Sequence, residues 1–191
     1  MSYRINEIFY SLQGEGANTG TPAVFVRFSG CNLRCAFCDT DFSAFTEMTA
    51  EEIARAVASY PAQLVVLTGG EPALQVDETV IDALHAKGKE IAIETNGTRA
   101  LPLGIDWVTV SPKESGKLVL SEADELKVVY TGQDVEKYYR FYPHARHHYL
   151  QPCSVTHDGV TTDNRDEVIR YCMEHPHWSL SLQTHKILNI Q

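Results

Sequence analysis

The sequence has no apolar run long enough to cross a membrane and little positive charge. No stretch of the 191 residues approaches the ~20 apolar residues of a membrane span, and the first residues lack the basic segment and apolar run of a secretory signal. There are 16 Lys and Arg residues against 25 Asp and Glu, a formal net charge of -9, whereas general affinity for nucleic acid normally requires a basic surface. We therefore expect a cytoplasmic protein that acts on a small molecule and binds neither membrane nor nucleic acid directly.

Cysteine is also scarce, and three of the five cysteines, Cys31, Cys35 and Cys38, lie within one short segment. Cys153 and Cys172 lie far along the chain. An odd number of cysteines does not suit a disulfide framework, and exposed thiols suit a reducing compartment. Three thiolates this close together indicate a metal cluster. A four-iron cluster usually takes one protein ligand per iron, so one iron would stay open for another ligand.

Two other interpretations of the three cysteines remain open. A structural zinc site needs four tetrahedral ligands, and because no second CxxC pair exists, one of the eight histidines would have to complete it. Alternatively, the spacing i, i+4, i+7 would place the cysteines on one face of a helix, as ordinary buried side chains. The flanking Gly30, Asn32 and Arg34 favour a loop over a helix.

The hydrophobic pattern predicts one domain covering residues 1–191, with 43% hydrophobic and 21% charged residues, as is usual for a globular protein. Short β-branched runs predict strands at 23–28, 64–68, 90–95, 107–110, 125–129, 148–150 and 179–182. Capping residues and helical periodicity predict helices at 49–60, 77–87 and 164–175.

Strands that alternate with crossovers indicate an α/β fold, curled into a partial TIM-like (β/α) barrel. Residues 95–107 leave little room for a helix, so we expect a trimmed version of that barrel. Functional side chains of such folds lie at the carboxyl ends of the strands.

Polar motifs follow several of the predicted strands. They are the cysteine loop and residues 68–72, 94–97, 111–113 and 150–152, with the sequences TGGEP, ETNG, SPK and LQP. Paired glycines allow the backbone to approach a ligand closely, although each motif taken alone is also compatible with an ordinary turn. Because the carboxyl ends of parallel strands meet at one edge, the motifs together predict a single ligand site.

The CxxxCxxC spacing of Cys31, Cys35 and Cys38, with the GGEP motif, resembles the radical S-adenosylmethionine superfamily. The resemblance implies a barrel of the radical SAM type and a 4Fe-4S cluster whose open iron binds the methionine part of S-adenosylmethionine. An electron from the cluster then splits the cofactor, and a 5′-deoxyadenosyl radical removes a hydrogen atom from the substrate. Beyond the three cysteines, the cofactor contacts that the resemblance implies are Phe37, Asp39, Gly70, Glu71, Ser111, Lys113 and Gln151.

The two ends of the chain resemble one family within this superfamily, the 7-carboxy-7-deazaguanine synthases. Residues 8–16, IFYSLQGEG, and 182–186, LQTHK, carry the resemblance, supported by FVR at 25–27, CDT at 38–40 and VSPK at 110–113. This family of carbon-nitrogen lyases converts 6-carboxy-5,6,7,8-tetrahydropterin to 7-carboxy-7-deazaguanine with loss of ammonia, on the route to queuosine. The implied substrate contacts are Leu12, Gln13, Gly14, Glu15, Arg27, Thr68, His185 and Gln191.

The resemblance also implies a Mg²⁺ ion on the hydroxyl of Thr40, a flavodoxin or ferredoxin as electron donor, and a homodimer. Arg27 can donate two hydrogen bonds to the substrate carboxylate, and the family uses the carboxylate of its last residue, here Gln191, against the pterin. The apolar residues of 187–190 predict a tail that packs on the barrel. Two other classes remain open: an activase that installs a glycyl radical in another protein, and a noncatalytic iron-sulfur or zinc module.

Overall fold

The computed structural model describes residues 1–38, 40–41, 43–157 and 160–191, and it contains a central nine-stranded sheet. The strands of this sheet are β1 (Tyr3–Leu12), β2 (Pro22–Phe28), β3 (Thr46–Met48), β4 (Leu64–Gly69), β5 (Glu90–Thr95), β6 (Trp107–Val110), β7 (Glu125–Tyr130), β8 (His147–Pro152) and β11 (Ser179–Leu180). A separate hairpin consists of β9 (Ser154–His157) and β10 (Val160–Asp163).

The helices are short and connect the strands. They are α1 (Ala50–Ala58), α2 (Glu78–His85), α3 (Glu136–Phe141), α4 (Arg165–Glu174) and α5 (Thr184–Leu188), with a 3-10 turn at Pro72–Leu74. Among the described residues, no helix is sufficiently long and apolar to traverse a lipid bilayer.

The strand order is β11-β8-β7-β6-β5-β4-β2-β1-β3. Seven neighbouring strands, β2, β4, β5, β6, β7, β8 and β11, pair in parallel. β1 is antiparallel to β2, and β3 is antiparallel to β1. Side chains of β1 and β2, near one edge of the sheet, and of β8, near the other, line a common cavity. The sheet is therefore curled, as expected for a partial, trimmed (β/α) barrel.

Successive side chains of a strand point to opposite sides, so the sheet has an outer and an inner face of different composition. Val24, Val26 and Phe28 of β2 point outward into an apolar core that includes Ile53 of α1 and Leu84 of α2. The residues between them point inward. The inner face begins with a small apolar cluster of Ala23, Phe25, Leu64, Val66 and Ala92 and becomes polar toward the carboxyl ends, at Arg27, Thr68 and Glu94.

The predicted strands and helices are confirmed as elements, and 95–107 contains no helix. The structure adds β1, β3, the β9–β10 hairpin, α3 and α5. The added helices have six and five residues, too few to show a helical period, and α3 is rich in aromatic residues that are typical of strands. The sequence of β1, YRINEIFYSL, mixes polar and apolar residues and contains a register shift between Ile5 and Glu7.

The expectation for the C-terminal tail is wrong. Ile187 and Leu188 do not pack on the barrel, since 63% and 59% of their respective surfaces are exposed, and Ile190 is 37% exposed. The expectation assumed an extended segment, but the chain forms the helical turn of α5 and then a left-handed residue, Asn189, at φ 53°.

Candidate active site

One cavity of about 800 Å³ opens on the inner face of the sheet. Its volume lies in the range of small-molecule sites, roughly 300–1,000 Å³. All the site residues predicted from sequence line it, except Asp39, which lies outside the described residues, and Glu71. The structure thus brings together motifs from both ends of the chain, while the part that each residue plays stays a prediction.

The three cysteines lie on the loop after β2, along one wall of the cavity. Cys31 and Cys35 are half-buried, Cys38 is exposed, and all three are free thiols. None of them is in a helix, so they do not form the helical face considered above. Burial raises the pKa of the Cys31 and Cys35 thiols, which favours the protonated form until a cation compensates for the lost hydration.

This donor set fits a four-iron cluster. Among the described residues, no three His, Cys, Asp or Glu side chains are close enough together to hold a single metal ion. A cluster does not require that, because each thiolate binds a different iron. Cys31 is within electrostatic reach of both Cys35 and Cys38, so the three thiols share one region. Cys153 also lines the cavity, from the segment after β8.

Two backbone hydrogen bonds fix the cysteine loop against the end of β4. The Gly70 N–H donates to the Phe28 carbonyl at 3.0 Å, and the Glu71 N–H donates to the Gly30 carbonyl at 2.9 Å. A Cβ atom at Gly70 would overlap the carbonyl oxygen of Gly30, so this close approach requires glycine. The close approach at Gly70 therefore fixes the position of the cysteine loop at its first cysteine, Cys31.

The segment after β5 holds the same loop from another side. The side-chain amide of Asn32 donates to the Thr98 hydroxyl at 2.8 Å, and its Oδ1 accepts from the side-chain amide of Asn96 at 3.1 Å. Asn96 in turn accepts from the Thr98 hydroxyl at 2.6 Å. The ETNG segment is therefore more than a turn, because it supports the loop that carries the cysteines.

Glu71 is fully buried and does not line the cavity. Its carboxylate accepts hydrogen bonds from the Ala73 N–H at 3.0 Å, the Thr95 hydroxyl at 2.6 Å and the Asn96 N–H at 2.7 Å. Burial raises the pKa of Glu71, and these donors oppose the rise. The carboxylate joins the ends of β4 and β5, and its contact with the cofactor stays a prediction.

Ser111 and Lys113 follow β6 at the cavity wall. The Lys113 ammonium donates to the Ser111 hydroxyl at 2.6 Å and lies 5.9 Å from the centroid of the Phe37 ring, within cation–π range. Burial lowers the pKa of Lys113. The side-chain Oε1 of Gln151, at the end of β8, accepts from the Ser181 hydroxyl at 3.3 Å.

The N-terminal and C-terminal motifs pack together. Thr184 donates both its N–H and its hydroxyl to the Gly14 carbonyl, each at 2.9 Å. A Cβ atom at Gly14 would overlap the His185 ring, so the ring rests directly on the Gly14 backbone. The Gln13 carbonyl accepts from the Gly20 N–H at 2.7 Å. The backbone carbonyls of Gln13 and Gly14, two of the residues implied to contact the substrate, are thus engaged within the protein.

A charged cluster joins this region to the strands. Lys127 of β7 donates to the carboxylates of Glu15 at 2.5 Å and of Glu94 at 3.2 Å. The Gln13 amide donates to Glu94 at 3.1 Å, and the Gln183 amide donates to Glu15 at 2.9 Å. Burial alone would lower the pKa of Lys127, but the surrounding carboxylates outweigh it and raise that pKa. Lys127 holds the pKa of Glu15 below its usual range, against the effect of burial.

An ion pair between Arg27 and Glu7 connects the cavity wall to the C-terminal residue. The Arg27 Nε donates to one oxygen of Glu7 at 2.8 Å, and the Gln191 amide donates to the other oxygen at 2.8 Å. The Ser11 hydroxyl donates to the Gln191 carbonyl oxygen at 2.6 Å. Gln191 therefore lies at the wall of the cavity and shares the carboxylate of Glu7 with Arg27.

Lys127 and Glu7 line the cavity although neither belongs to a motif identified from the sequence. Lys127 and Glu125 interrupt an otherwise apolar strand, and their separation by two residues places both on the inner face. That pattern is the signal by which Lys127 can be found. Glu7 carries no comparable signal, because β1 is not predicted from the sequence.

Comparison with known proteins agrees with the geometry of this site. The sequence profile of the Radical SAM superfamily matches residues 25–173. The chain is 56% identical to the 7-carboxy-7-deazaguanine synthase of Bacteroides thetaiotaomicron over 191 residues, which cover 100% of both chains. It is 46% identical to the enzyme of that name from Nitratidesulfovibrio vulgaris, again over 100% of both chains.

A solved structure shows the same fold. The crystal structure of QueE from Escherichia coli superimposes with a TM-score of 0.77 and 29% sequence identity, covering 95% of this chain and 94% of that one. The cysteine loop, the glycine pair and both terminal motifs lie within the matched length of the Bacteroides relative. The chain therefore belongs to the radical SAM superfamily and, within it, to the family of 7-carboxy-7-deazaguanine synthases.

Proposed function

We propose that this enzyme converts 6-carboxy-5,6,7,8-tetrahydropterin to 7-carboxy-7-deazaguanine, with loss of ammonia, in the biosynthesis of queuosine. One observation carries the proposal: the cysteine loop and the polar residues of the two terminal motifs line the same cavity. A radical generated at the cysteine loop would therefore meet a substrate held by those motifs without leaving the protein.

As a member of the superfamily, the chain uses a 4Fe-4S cluster and S-adenosylmethionine. When bound, the two supply an electron and a 5′-deoxyadenosyl group that removes a hydrogen atom from the substrate. We assign Cys31, Cys35 and Cys38 as the ligands of three irons. The backbone at Gly70 and the side chains of Ser111, Lys113 and Gln151 line the same cavity and would orient the cofactor.

The substrate carries a carboxylate and a pyrimidinone ring with N–H donors, and the cavity offers a complement to each. Arg27 is a planar cation suited to a carboxylate, and its Nε is already fixed by Glu7. Gln13 and Glu15 present amide and carboxylate oxygens suited to ring N–H groups. Thr68 and His185 complete the polar lining. These side chains would bind and orient the pterin, and the surrounding walls would exclude water.

We further propose that Mg²⁺ binds the Thr40 hydroxyl together with oxygens of the substrate. Thr40 is half-buried and lines the cavity beside the cysteine loop. Mg²⁺ prefers octahedral oxygen coordination and usually keeps several waters, so one protein ligand is sufficient when the substrate supplies others. Substrate binding should accordingly weaken when Mg²⁺ is removed by chelation.

Four further proposals concern the setting of the reaction: the electron donor, the compartment, the domain and the oligomeric state. A small redox protein such as flavodoxin or ferredoxin supplies the electron, in a cytoplasm whose reducing conditions keep the thiols free. Residues 1–191 act as one domain, which is supported by a sheet that joins strands from Tyr3 to Leu180. The enzyme acts as a homodimer, as the resemblance to the family implies.

The decisive assay is anaerobic turnover of 6-carboxytetrahydropterin by iron-reconstituted enzyme with S-adenosylmethionine, Mg²⁺ and dithionite. We expect 7-carboxy-7-deazaguanine, identified by mass, only when all components are present. Formation of 5′-deoxyadenosine without this product would retain the radical chemistry and reject the substrate. Absence of both from enzyme with an intact cluster would reject the enzyme assignment.

A C-terminal extension tests the proposed role of Gln191. Residues added after Gln191 convert its main-chain carboxylate, which accepts from the Ser11 hydroxyl, into an uncharged amide. We therefore expect the KM for the pterin to rise about tenfold, as for loss of one hydrogen bond to a charged group. The same residues added before Met1 are the matched control, because Met1 is 90% exposed. An unchanged KM in the C-terminally extended enzyme would remove Gln191 from the binding site.

A further inference from the structure

The Lys127 cluster, which consists of Lys127, Glu15, Glu94 and Glu125, gathers three carboxyl groups around one ammonium. The side chains of Lys127 and Glu15 are only 5% and 15% exposed, and Glu125 is 2% exposed as a residue. Removing charged groups from water is costly, and buried ion pairs are a poor source of stability compared with apolar side chains. Lys127, which with Glu125 interrupts an otherwise apolar strand, therefore calls for a role other than packing.

The geometry of the cluster indicates what Lys127 does. Its ammonium donates to Glu15 and to Glu94, two carboxylates that come from different segments of the chain. Neutral donors complete the arrangement: Gln183 binds the other oxygen of Glu15, and Thr68 binds the other oxygen of Glu94. Each carboxylate is thus fixed at both oxygens in a defined plane.

Acceptor capacity remains on both carboxylates. An ionised carboxylate has about four lone-pair sites, and the contacts above use only some of them. Glu15 and Glu94 both line the cavity, as does Lys127. The pyrimidinone edge of a pterin, with its ring N–H and exocyclic amine, is a donor surface that two fixed carboxylates can recognise.

We propose that Lys127 is a positioning residue that holds Glu15 and Glu94 as ionised, oriented acceptors for the N–H donors of the pterin ring. Lys127 acts through these two carboxylates. The inference rests on the proposed function, because it takes a pterin as the occupant of the cavity.

Loss of the ammonium should make pterin binding depend on pH. The charged and titratable groups around Glu15 are Lys127, Glu94, Glu125, Lys113 and His185. With Lys127 neutral, burial and the neighbouring carboxylates favour the protonated form of Glu15, so its pKa rises. A protonated Glu15 loses an acceptor. Binding in such a variant should weaken as the pH falls, whereas the wild-type ammonium keeps Glu15 ionised across the neutral range.

Equilibrium binding measures this effect without turnover. Fluorescence titration of 6-carboxypterin, an oxidised analogue with the same carboxylate and pyrimidinone edge, is performed on cluster-loaded enzyme with S-adenosylmethionine and no reductant. We expect Lys127→Gln to weaken binding about tenfold or more near neutral pH. The loss should be larger near pH 6 than near pH 8, and Lys127→Arg should retain part of the affinity. Lys87→Gln, at an exposed lysine outside the cavity, is the matched control.

Two comparisons separate positioning from a purely structural role. In turnover, Lys127→Gln should raise KM more than it lowers kcat. The double variant Lys127→Gln/Glu15→Gln removes both charges of the pair. It should recover thermal stability relative to Lys127→Gln but not pterin affinity, and it is used for binding if the single variant does not fold.

Affinity in the folded variants within about twofold of wild type at every pH would overturn the proposal, as would a loss of the same size at both ends of the pH range. Failure of the proposed function is distinguishable, because wild-type enzyme would then neither bind 6-carboxypterin nor form product.

Discussion

Replacing Cys35 by Ala should abolish the cleavage of S-adenosylmethionine and leave the fold intact. Cys35 is the middle thiol of the trio, and a cluster with only two protein ligands at this wall would be assembled poorly and held in the wrong place. The side chain is half-buried on a loop outside the helices and strands, so its loss removes little packing. We expect 5′-deoxyadenosine at background level, a large loss of bound iron and an unchanged far-UV circular dichroism spectrum.

Cys172→Ala is the matched control for this experiment. Cys172 is also a half-buried free thiol, but it lies on α4, packs against the apolar core and does not line the cavity. Its replacement should leave iron content and S-adenosylmethionine cleavage near wild-type values. Cleavage by Cys35→Ala at the wild-type rate would contradict the assignment of the three cysteines to one cluster.

Replacing Gly70 by Ala should have the second largest effect. The new Cβ would overlap the carbonyl oxygen of Gly30 and come within 3.1 Å of the Cys31 nitrogen. Both neighbours are backbone atoms, so no side-chain rotation relieves the overlap and the cysteine loop must move. A displacement of about 1 Å in a catalytic site can reduce the rate on the order of a hundredfold. We expect a loss of that size in S-adenosylmethionine cleavage, together with reduced incorporation of iron.

Gly132→Ala controls for the backbone strain of a glycine substitution. Gly132 has φ +85°, and a Cβ there meets no heavy atom within 4 Å. Left-handed backbone costs a residue with a side chain roughly 1–2 kcal/mol. This control should therefore lower thermal stability without altering iron content. Equal iron content and activity in Gly70→Ala and wild-type enzyme would show that the close approach to Gly30 does not position the cluster loop.

Much of the fold follows from local patterns in the sequence. The parallel strands are short and β-branched, so each is visible from a few residues, and the capping box at Thr49 and Glu52 marks the start of α1. The short elements are harder to predict because they owe their structure to neighbours. β3 has three residues and exists through its pairing with β1, and α5 forms where Thr184 is tied to Gly14.

The residues of the candidate site likewise differ in whether the local sequence predicts them. The sequence predicts the role of Cys31, Cys35 and Cys38 because their spacing alone indicates a cluster. It also predicts the role of the glycine pair, because a close approach of two backbone segments needs glycine. Lys127 and Glu7 contribute through partners far away in the sequence, Glu15 and Arg27 respectively. Such pairings appear only when the sheet curls and brings these segments to one cavity.

The most direct test of this account is an anaerobic crystal structure of the reconstituted enzyme with S-adenosylmethionine and 6-carboxytetrahydropterin. We predict three irons of one cluster on the thiolates of Cys31, Cys35 and Cys38, with the substrate carboxylate at Arg27 and the ring edge at Glu15. A cluster held by other residues, or a pterin bound outside this cavity, would show that the radical source and the substrate do not share this site.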